Sequence, residues 1–369
     1  MDHLTDYVQW MGEFPISVVP FREADALVLC ALSYVDFTPF LPEGKTDFLL
    51  KDCESFLRYG QPRIMITGEV DSLLQLLKLA VGSRRFGELR VSDYVDLIRE
   101  DPPLQFSALC FHGPRGLSFL AYRGTDSTLA GWEEDFMISF TRTEAQELAL
   151  RYAEEHITSD RRWLMGGHSK GGNLVLFASC LLSEEKWRAV RQVYMLDGPG
   201  FDPDVMAPEF LDRVEPRVVR ILPRFSIVGK LFEPPISDRR IVRSSGSGFG
   251  QHSLLTWGID HGKLALAEDA DPISRVLNSA IADWIQSIPH DDRASLVGDL
   301  FHALAASGAE QLDELDDNGL EGLAAMLRSL RGSGETTRAA LADLPRRLIA
   351  EGFSLKHFLR RGHEKDKEF

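Results

Sequence analysis

Basic charge is in short supply in this chain. Its 369 residues carry 41 Lys and Arg against 56 Asp and Glu, a formal net charge of −15. Phosphate binding depends on clustered Lys and Arg, so no nucleic-acid partner is expected, and adsorption to anionic membranes is disfavoured. The basic stretch from Leu355 to Lys367 is a local exception and reads as a solvated helix end. Cysteine is sparse too: Cys30, Cys53, Cys110 and Cys180 form no Cys-x-x-Cys pair and sit in apolar or mixed surroundings. Buried free thiols are expected, with no disulfide framework. No run approaches the ~18 apolar residues of a membrane span. The opening residues Met1-Asp2-His3-Leu4-Thr5-Asp6 lack the basic and apolar regions of a signal peptide. The expectation is a cytoplasmic protein with no transmembrane segment. Repeats, metal-ligand clusters and a Walker phosphate loop are also missing, so neither a metal nor an organic cofactor is implied.

What is present is the composition of an ordinary globular protein, 44% apolar and 26% charged. The N-terminal part, residues 1–103, reads as mainly helical. Apolar spacing predicts helices over Glu23–Leu32 and Ser72–Leu79, and Ser92 as an N-cap predicts a third helix through Ile98. The stretch between Pro39 and Pro62 is less periodic and reads as loop with short helix. Strand patterns then begin. Gln105–His112 and Leu117–Tyr122 flank the turn Gly113-Pro114-Arg115-Gly116, a hairpin signal. Thr143–His156 is helical in pattern, the run ending at Gly167 is strand-like, and further strands are expected over Gln192–Asp197 and Arg217–Leu222. Strands alternating with helices imply a mostly parallel central sheet with helices on both faces. From Asp269 onward the pattern is helical. We therefore divide the chain into a main domain, residues 1–298, and a helical C-terminal appendage, residues 299–369.

The run Trp163-Leu164-Met165-Gly166-Gly167-His168-Ser169-Lys170-Gly171-Gly172-Asn173 carries the chemistry. Gly-x-Ser-x-Gly arises by chance in roughly one chain in seven of this length, so its flanks decide. Here a strand-like run precedes it and the helix-like Leu174–Ala178 follows. That order predicts a sharp strand–turn–helix elbow with Ser169 at its apex. Glycine on either side lets strand and helix approach, and the helix N-terminus aims N–H groups at any oxyanion formed there.

A nucleophilic serine needs a base, an orienting acid and oxyanion donors, expected in the chain order Ser, Asp, His. Tyr122-Arg123-Gly124-Thr125-Asp126 ends the strand that starts at Leu117, which places Thr125 to offer a donor beside the backbone N–H of Lys170. Among ten histidines, His252 follows a Gly/Ser loop after the strand-like Arg240–Arg243 and fits the base best. His261 is the competitor, His168 is expected to lie beneath the elbow, and His112 belongs to its strand. For the acid, Asp197 ends the strand after the nucleophile helix, with Asp238 and Asp260 as alternatives.

The run Phe119–Thr125 followed by Trp132 and Asp135, together with Gly167-His168-Ser169-Lys170-Gly171, resembles the class 3 lipases, from about Phe106 to His252. With the Asp-Gly-Pro-Gly-Phe and Gln-His segments included, the whole chain resembles a bacterial, lipase-like (Mbeg-like) family of unknown function. The resemblance implies an α/β-hydrolase fold and an oxyanion role for Thr125. It also exposes a departure. Class 3 lipases keep their acid after the next strand, where this chain has Pro223–Gly229 with Ser226 in place of aspartate. Pancreatic-type lipases keep theirs one strand earlier, in a Leu-Asp-Pro setting like that of Asp197. The reading is a serine hydrolase of lipase or esterase type, with Ser169, His252 and Asp197 as triad and Thr125 and Lys170 at the oxyanion. Its substrate is a small-molecule or lipid ester. The alternatives are a catalytically silent binding or scaffold protein on the same fold and, behind it, a regulatory ligand-binding protein. The N-terminal helices and Val228–Pro235 are expected to cover the site.

Overall fold

The computed structural model describes residues 1–41, 46–66, 69–99, 104–125, 137–271 and 288–289. Among them, eight strands form one sheet whose spatial order follows the chain: β1 (Asp47–Leu49), β2 (Arg90–Arg99), β3 (Leu104–His112), β4 (Leu117–Tyr122), β5 (Arg162–His168), β6 (Val190–Leu196), β7 (Val218–Pro223) and β8 (Arg239–Val242). β1 to β4 pair antiparallel, and β4 to β8 pair parallel. The parallel strands are near-continuous apolar runs because both of their faces are covered. In β5 every residue after Arg162 is buried. A separate two-stranded ribbon joins β9 (Ile259–Asp260) to β10 (Lys263–Leu264).

Two apolar layers sandwich the sheet. On one face lie α1 (Leu4–Met11), α2 (Glu23–Leu32), the short α3 (Cys53–Leu57) and α4 (Val70–Gly82). α2 lies at the centre of this layer, with every residue from Ala24 to Leu32 buried, which is why its sequence is apolar around nearly the whole circumference. One charged residue on it, Asp25, is itself buried and answered by Arg85. The Asp25 carboxylate accepts Arg85 Nε at 2.6 Å, Arg85 Nη2 at 2.5 Å and the Tyr7 hydroxyl at 2.8 Å. On the other face lie α5 (Glu144–His156), α6 (Lys170–Leu181), α7 (Glu184–Ala189) and α8 (Pro208–Val214). α5 opens on a reciprocal cap: Thr143 Oγ1 accepts the Gln146 N–H at 3.4 Å, and Gln146 Oε1 accepts the Thr143 N–H at 3.0 Å. Helices therefore cover both faces, as the alternating pattern implied.

One expectation is corrected. Ser92–Ile98, expected as a helix, lies within β2, paired to β1 on one side and β3 on the other. Tyr94, Leu97 and Ile98 have helical spacing, but the β-strand register is irregular between Ser92 and Val95, where Asp93 takes φ 57°. The bulge breaks the two-residue alternation that would have marked the strand, and the ladders on both sides override local preference. The part before residue 103 thus contributes two strands besides its helices. The hairpin over β3 and β4 forms as expected, and α2 spans Glu23–Leu32 as expected. The helical pattern after Asp269, Trp132 and Asp135 lie outside the described residues, apart from 269–271 and 288–289, which are not helical.

Candidate active site

Parallel sheets gather functional groups at the carboxyl ends of their strands. Thr125 follows β4, Ser169 follows β5, Asp197 follows β6, Ser226 follows β7 and His252 lies on the loop after β8. Five segments far apart in sequence therefore deliver their side chains to one edge of the sheet.

Ser169 sits between β5 and α6 at φ 58°, ψ −125°, a backbone conformation that ordinary residues rarely adopt. Such strain costs about 1–3 kcal/mol and persists only where the surroundings enforce it. Here they do. The Ser169 N–H donates to the Leu196 carbonyl at 2.9 Å, and the Ser169 carbonyl accepts the Gly172 N–H at 2.8 Å, closing the first turn of α6. A methyl group on Gly171 would lie 2.3 Å from the Tyr122 carbonyl oxygen, and one on Gly172 would lie 2.9 Å from Gly198 Cα. The elbow therefore needs glycine at both places for lack of space. Asn173, one residue on, donates to the Pro199 and Gly200 carbonyls at 3.2 Å each and accepts Gln146 at 2.9 Å, locking α6 to α5 and to the loop after Asp197.

Asp197 is fully buried and also left-handed, at φ 44°. Its N–H continues the sheet by donating to the Ile221 carbonyl at 2.9 Å. Its two carboxylate oxygens are divided between partners. Oδ2 meets His252 Nδ1 at 2.7 Å, and Oδ1 accepts the Ser226 hydroxyl at 2.5 Å. Donation from Nδ1 makes Nε2 the basic nitrogen of the neutral His252 ring. Gly229 closes over the carboxylate: a methyl group there would lie 2.4 Å from Asp197 Oδ1. The turn carrying Gly229 is held from below by buried Arg220 on β7, which donates to the Gly229 carbonyl at 2.7 Å and pairs with Glu233 at 2.9 Å. Burial opposes ionisation of Glu233, but hydrogen bonds and charge from Lys230 and Arg220 outweigh it and bring its pKa down to about 2.

His252 also lies against the elbow itself. Its ring packs against His168 with centroids 4.6 Å apart and planes tilted by 35°, and its carbonyl oxygen meets His168 Nε2 at 2.8 Å. His168 Nδ1 meets the Tyr34 hydroxyl at 2.9 Å. At Gly124, one residue before Thr125, a methyl group would lie 2.2 Å from the Tyr34 hydroxyl, 2.6 Å from the His168 carbonyl oxygen and 3.2 Å from Ser169 Cβ. The end of β4 is thereby pressed against the nucleophile. Ser169 and Thr125 are both buried, as is Lys170, whose backbone N–H opens α6.

The structure thus gathers Ser169, Asp197, His252, Thr125 and Lys170 at one edge, and sets their competitors elsewhere. His261 is a left-handed, solvent-exposed turn residue between β9 and β10. Asp238 pairs with Arg240, and Asp260 is exposed on the ribbon. His112 bridges Ser92 and Ser118 across the antiparallel strands. The four cysteines are buried and unpaired, and burial pushes the Cys30 and Cys110 thiols upward, away from the reactive thiolate. Among the described residues, no group of three or more His, Cys, Asp or Glu is arranged to hold a metal ion. Sequence reasoning missed two partners: Tyr34, which reaches the site from beyond α2, and Ser226, noted only as a missing aspartate.

A mostly parallel sheet clothed by helices on both faces, with a serine elbow after a central strand, defines an α/β-hydrolase fold. Within it, the chain belongs to the Mbeg1-like family, whose model matches residues 80–302. Among solved structures it is similar to M37 lipase, at 16% identity and a TM-score of 0.36, over 57% of this chain and 70% of that one. No curated protein matches the chain. No helix among the described residues is long and apolar enough to cross a membrane.

Proposed function

We propose that this chain is a serine hydrolase of lipase or esterase type that cleaves a carboxylic ester through an acyl-enzyme on Ser169. One observation carries the reading: a strained serine at the elbow lies at the same edge of the sheet as a histidine whose Nδ1 is held 2.7 Å from a buried carboxylate. Ser169 Oγ attacks the acyl carbonyl while His252 Nε2 takes its proton. The N–H groups of Thr125 and Lys170 hold the oxygen that becomes negative, and His252 then returns the proton to the departing alcohol. Water, deprotonated by the same imidazole, attacks the acyl-enzyme, and the free acid leaves. Asp197 keeps the imidazole in the tautomer this requires and stabilises the cation that forms in each half-reaction. The chemistry draws on no cofactor.

The substrate we infer is a small-molecule or lipid ester. Tyr34 from the N-terminal layer bonds His168 at the elbow, and Gly229 of Val228–Pro235 rests on the acid, so both segments border the site. Buried cysteines without disulfides favour a reducing, cytoplasmic setting. The burial of Ser169, 4% exposed, favours the second reading, a silent scaffold on the same fold. Hydrolysis of p-nitrophenyl esters from acetate to palmitate separates the two. Turnover that falls by several orders of magnitude in Ser169→Ala supports the hydrolase, and a loss below about tenfold would remove Ser169 from the mechanism.

A further inference from the structure

We propose that Tyr34 and His168 act as a positioning relay that fixes the backbone of the base, His252, and ties it to the end of the oxyanion strand. This rests on the reading of Ser169 as nucleophile. A carbonyl oxygen only accepts, so the 2.8 Å contact from His168 Nε2 to the His252 carbonyl puts the proton of the ring on Nε2. In the neutral ring Nδ1 then accepts, and the Tyr34 hydroxyl donates to it at 2.9 Å. The direction of every hydrogen bond along the path from Tyr34 to His168 to the His252 backbone is thereby set.

Both ring nitrogens of His168 are engaged and the residue is 3% exposed, so it touches no substrate and is not itself a base. Its place matters for another reason. His252 becomes a cation in each half-reaction, and the centroid of the His168 ring lies 4.6 Å from its own. A charged neighbour there would oppose that step. Burial first, and the charge of His252 second, hold the His168 pKa well below that of an ordinary histidine. The groups facing His168 are Tyr34, His252 and, edge-on at 6.4 Å, Trp257. Of these only His252 and Tyr34 titrate.

Tyr34 is suited to transmit position. Its backbone is tied into the N-terminal layer, with its N–H donating to Ala31 at 3.1 Å and its carbonyl accepting Met65 at 2.8 Å. Its hydroxyl lies where a side chain on Gly124 would be. The same oxygen therefore abuts the strand that presents Thr125 and binds the ring beneath the base. The His252 loop has other anchors, with Trp257 Nε1 donating to Gln251 O at 2.9 Å and the Phe225 N–H donating to Gln251 Oε1 at 3.0 Å. Without the relay the loop stays folded, but the imidazole loses its fixed height above Ser169.

The test is the rate of fluorophosphonate labelling of Ser169 across pH 5–9 for wild type, Tyr34→Phe, His168→Gln and His168→Leu, each checked for a native melting transition. Gln places an N–H donor where Nε2 stands, whereas Leu has none. We expect His168→Leu to label about a hundredfold more slowly, His168→Gln to recover about tenfold of that loss, and Tyr34→Phe to label about tenfold more slowly with its acid limb moved. Labelling of His168→Leu within threefold of wild type, or Gln no better than Leu, would overturn the relay. A wild type that does not label overturns the nucleophile reading, and the relay with it. If His168→Leu fails to fold, Tyr34→Phe and the ¹⁵N spectrum of the histidines in the wild type decide. His168 is expected neutral with its proton on Nε2 where an ordinary histidine is half charged, near pH 6.5, and a charged ring there or an Nδ1–H tautomer would overturn the proposal.

Discussion

The Ser226 hydroxyl donates a hydrogen bond to Asp197 Oδ1 at 2.5 Å, while His252 Nδ1 meets the other oxygen of the same carboxylate at 2.7 Å. On the proposed mechanism, Ser226, at the position where the resemblance to class 3 lipases would put an acid, orients an acid supplied one strand earlier. Asp197→Asn is expected to lower kcat about 10⁴-fold, since the amide favours the wrong imidazole tautomer. Ser226→Ala, which removes one charge-assisted hydrogen bond, is expected to cost about tenfold. Steady-state ester hydrolysis measures both, and equal losses in the two variants would contradict the division of roles.

Gly124 is a matter of space. An added methyl group would fall 2.2 Å from the Tyr34 hydroxyl and 2.6 Å from the His168 carbonyl. Gly124→Ala should therefore destabilise by about 1–3 kcal/mol and push the Thr125 N–H off the oxyanion position. Thermal melting together with kcat at saturating ester reads the two effects. Unchanged activity would show that the end of β4 is not part of the catalytic surface.

The Asp25–Arg85 pair, with both side chains fully buried, anchors α2 and through it Tyr34. Arg85 also donates to the Phe14, Val19 and Pro20 carbonyls. Arg85→Met leaves a buried carboxylate without its cation and should cost about 3–5 kcal/mol in urea unfolding. A loss under about 1 kcal/mol would mean that water or another group reaches Asp25.

Acid should weaken the fold through histidine before it does so through carboxylates. The His168 pKa is held down by burial and by His252, and that of His112 by burial and by Arg161. Because the folded values lie below the unfolded one, the unfolded chain takes up these protons first as pH falls. The stabilisation is complete above about pH 6.5 and is lost below it, at up to ~1.4 kcal/mol per pH unit for each group. Urea midpoints between pH 7.5 and 5.5 should fall more steeply for wild type than for His168→Gln. Parallel slopes would contradict the assignment of His168 as a neutral, buried ring.

The parts of this fold legible in the sequence were those whose signal is local. The elbow could be read because Gly167, Ser169 and Gly171 adjoin a buried strand and a buried helix, and the hairpin because Gly113–Gly116 interrupts two strand-like runs. Strand β2 was not legible: its bulge at Asp93 erased the alternation, and its conformation is dictated by β1 and β3. Ser226 could be seen to replace an aspartate, but not to bond one, since that contact depends on how β6 and β7 end side by side. Tyr34 left no signal at all. Its partner His168 is 134 positions away, and a tyrosine after an apolar helix looks like any other core residue.

The reactivity of one oxygen atom, Ser169 Oγ, separates a hydrolase from a scaffold. Full-length protein incubated with a fluorophosphonate, digested and mapped by mass spectrometry should carry the phosphonyl adduct on the peptide containing Ser169. Asp197→Asn should slow its formation, and Ser169→Ala should abolish it. An adduct on another residue, or none on folded wild-type protein, would contradict the central claim and leave the fold as a scaffold.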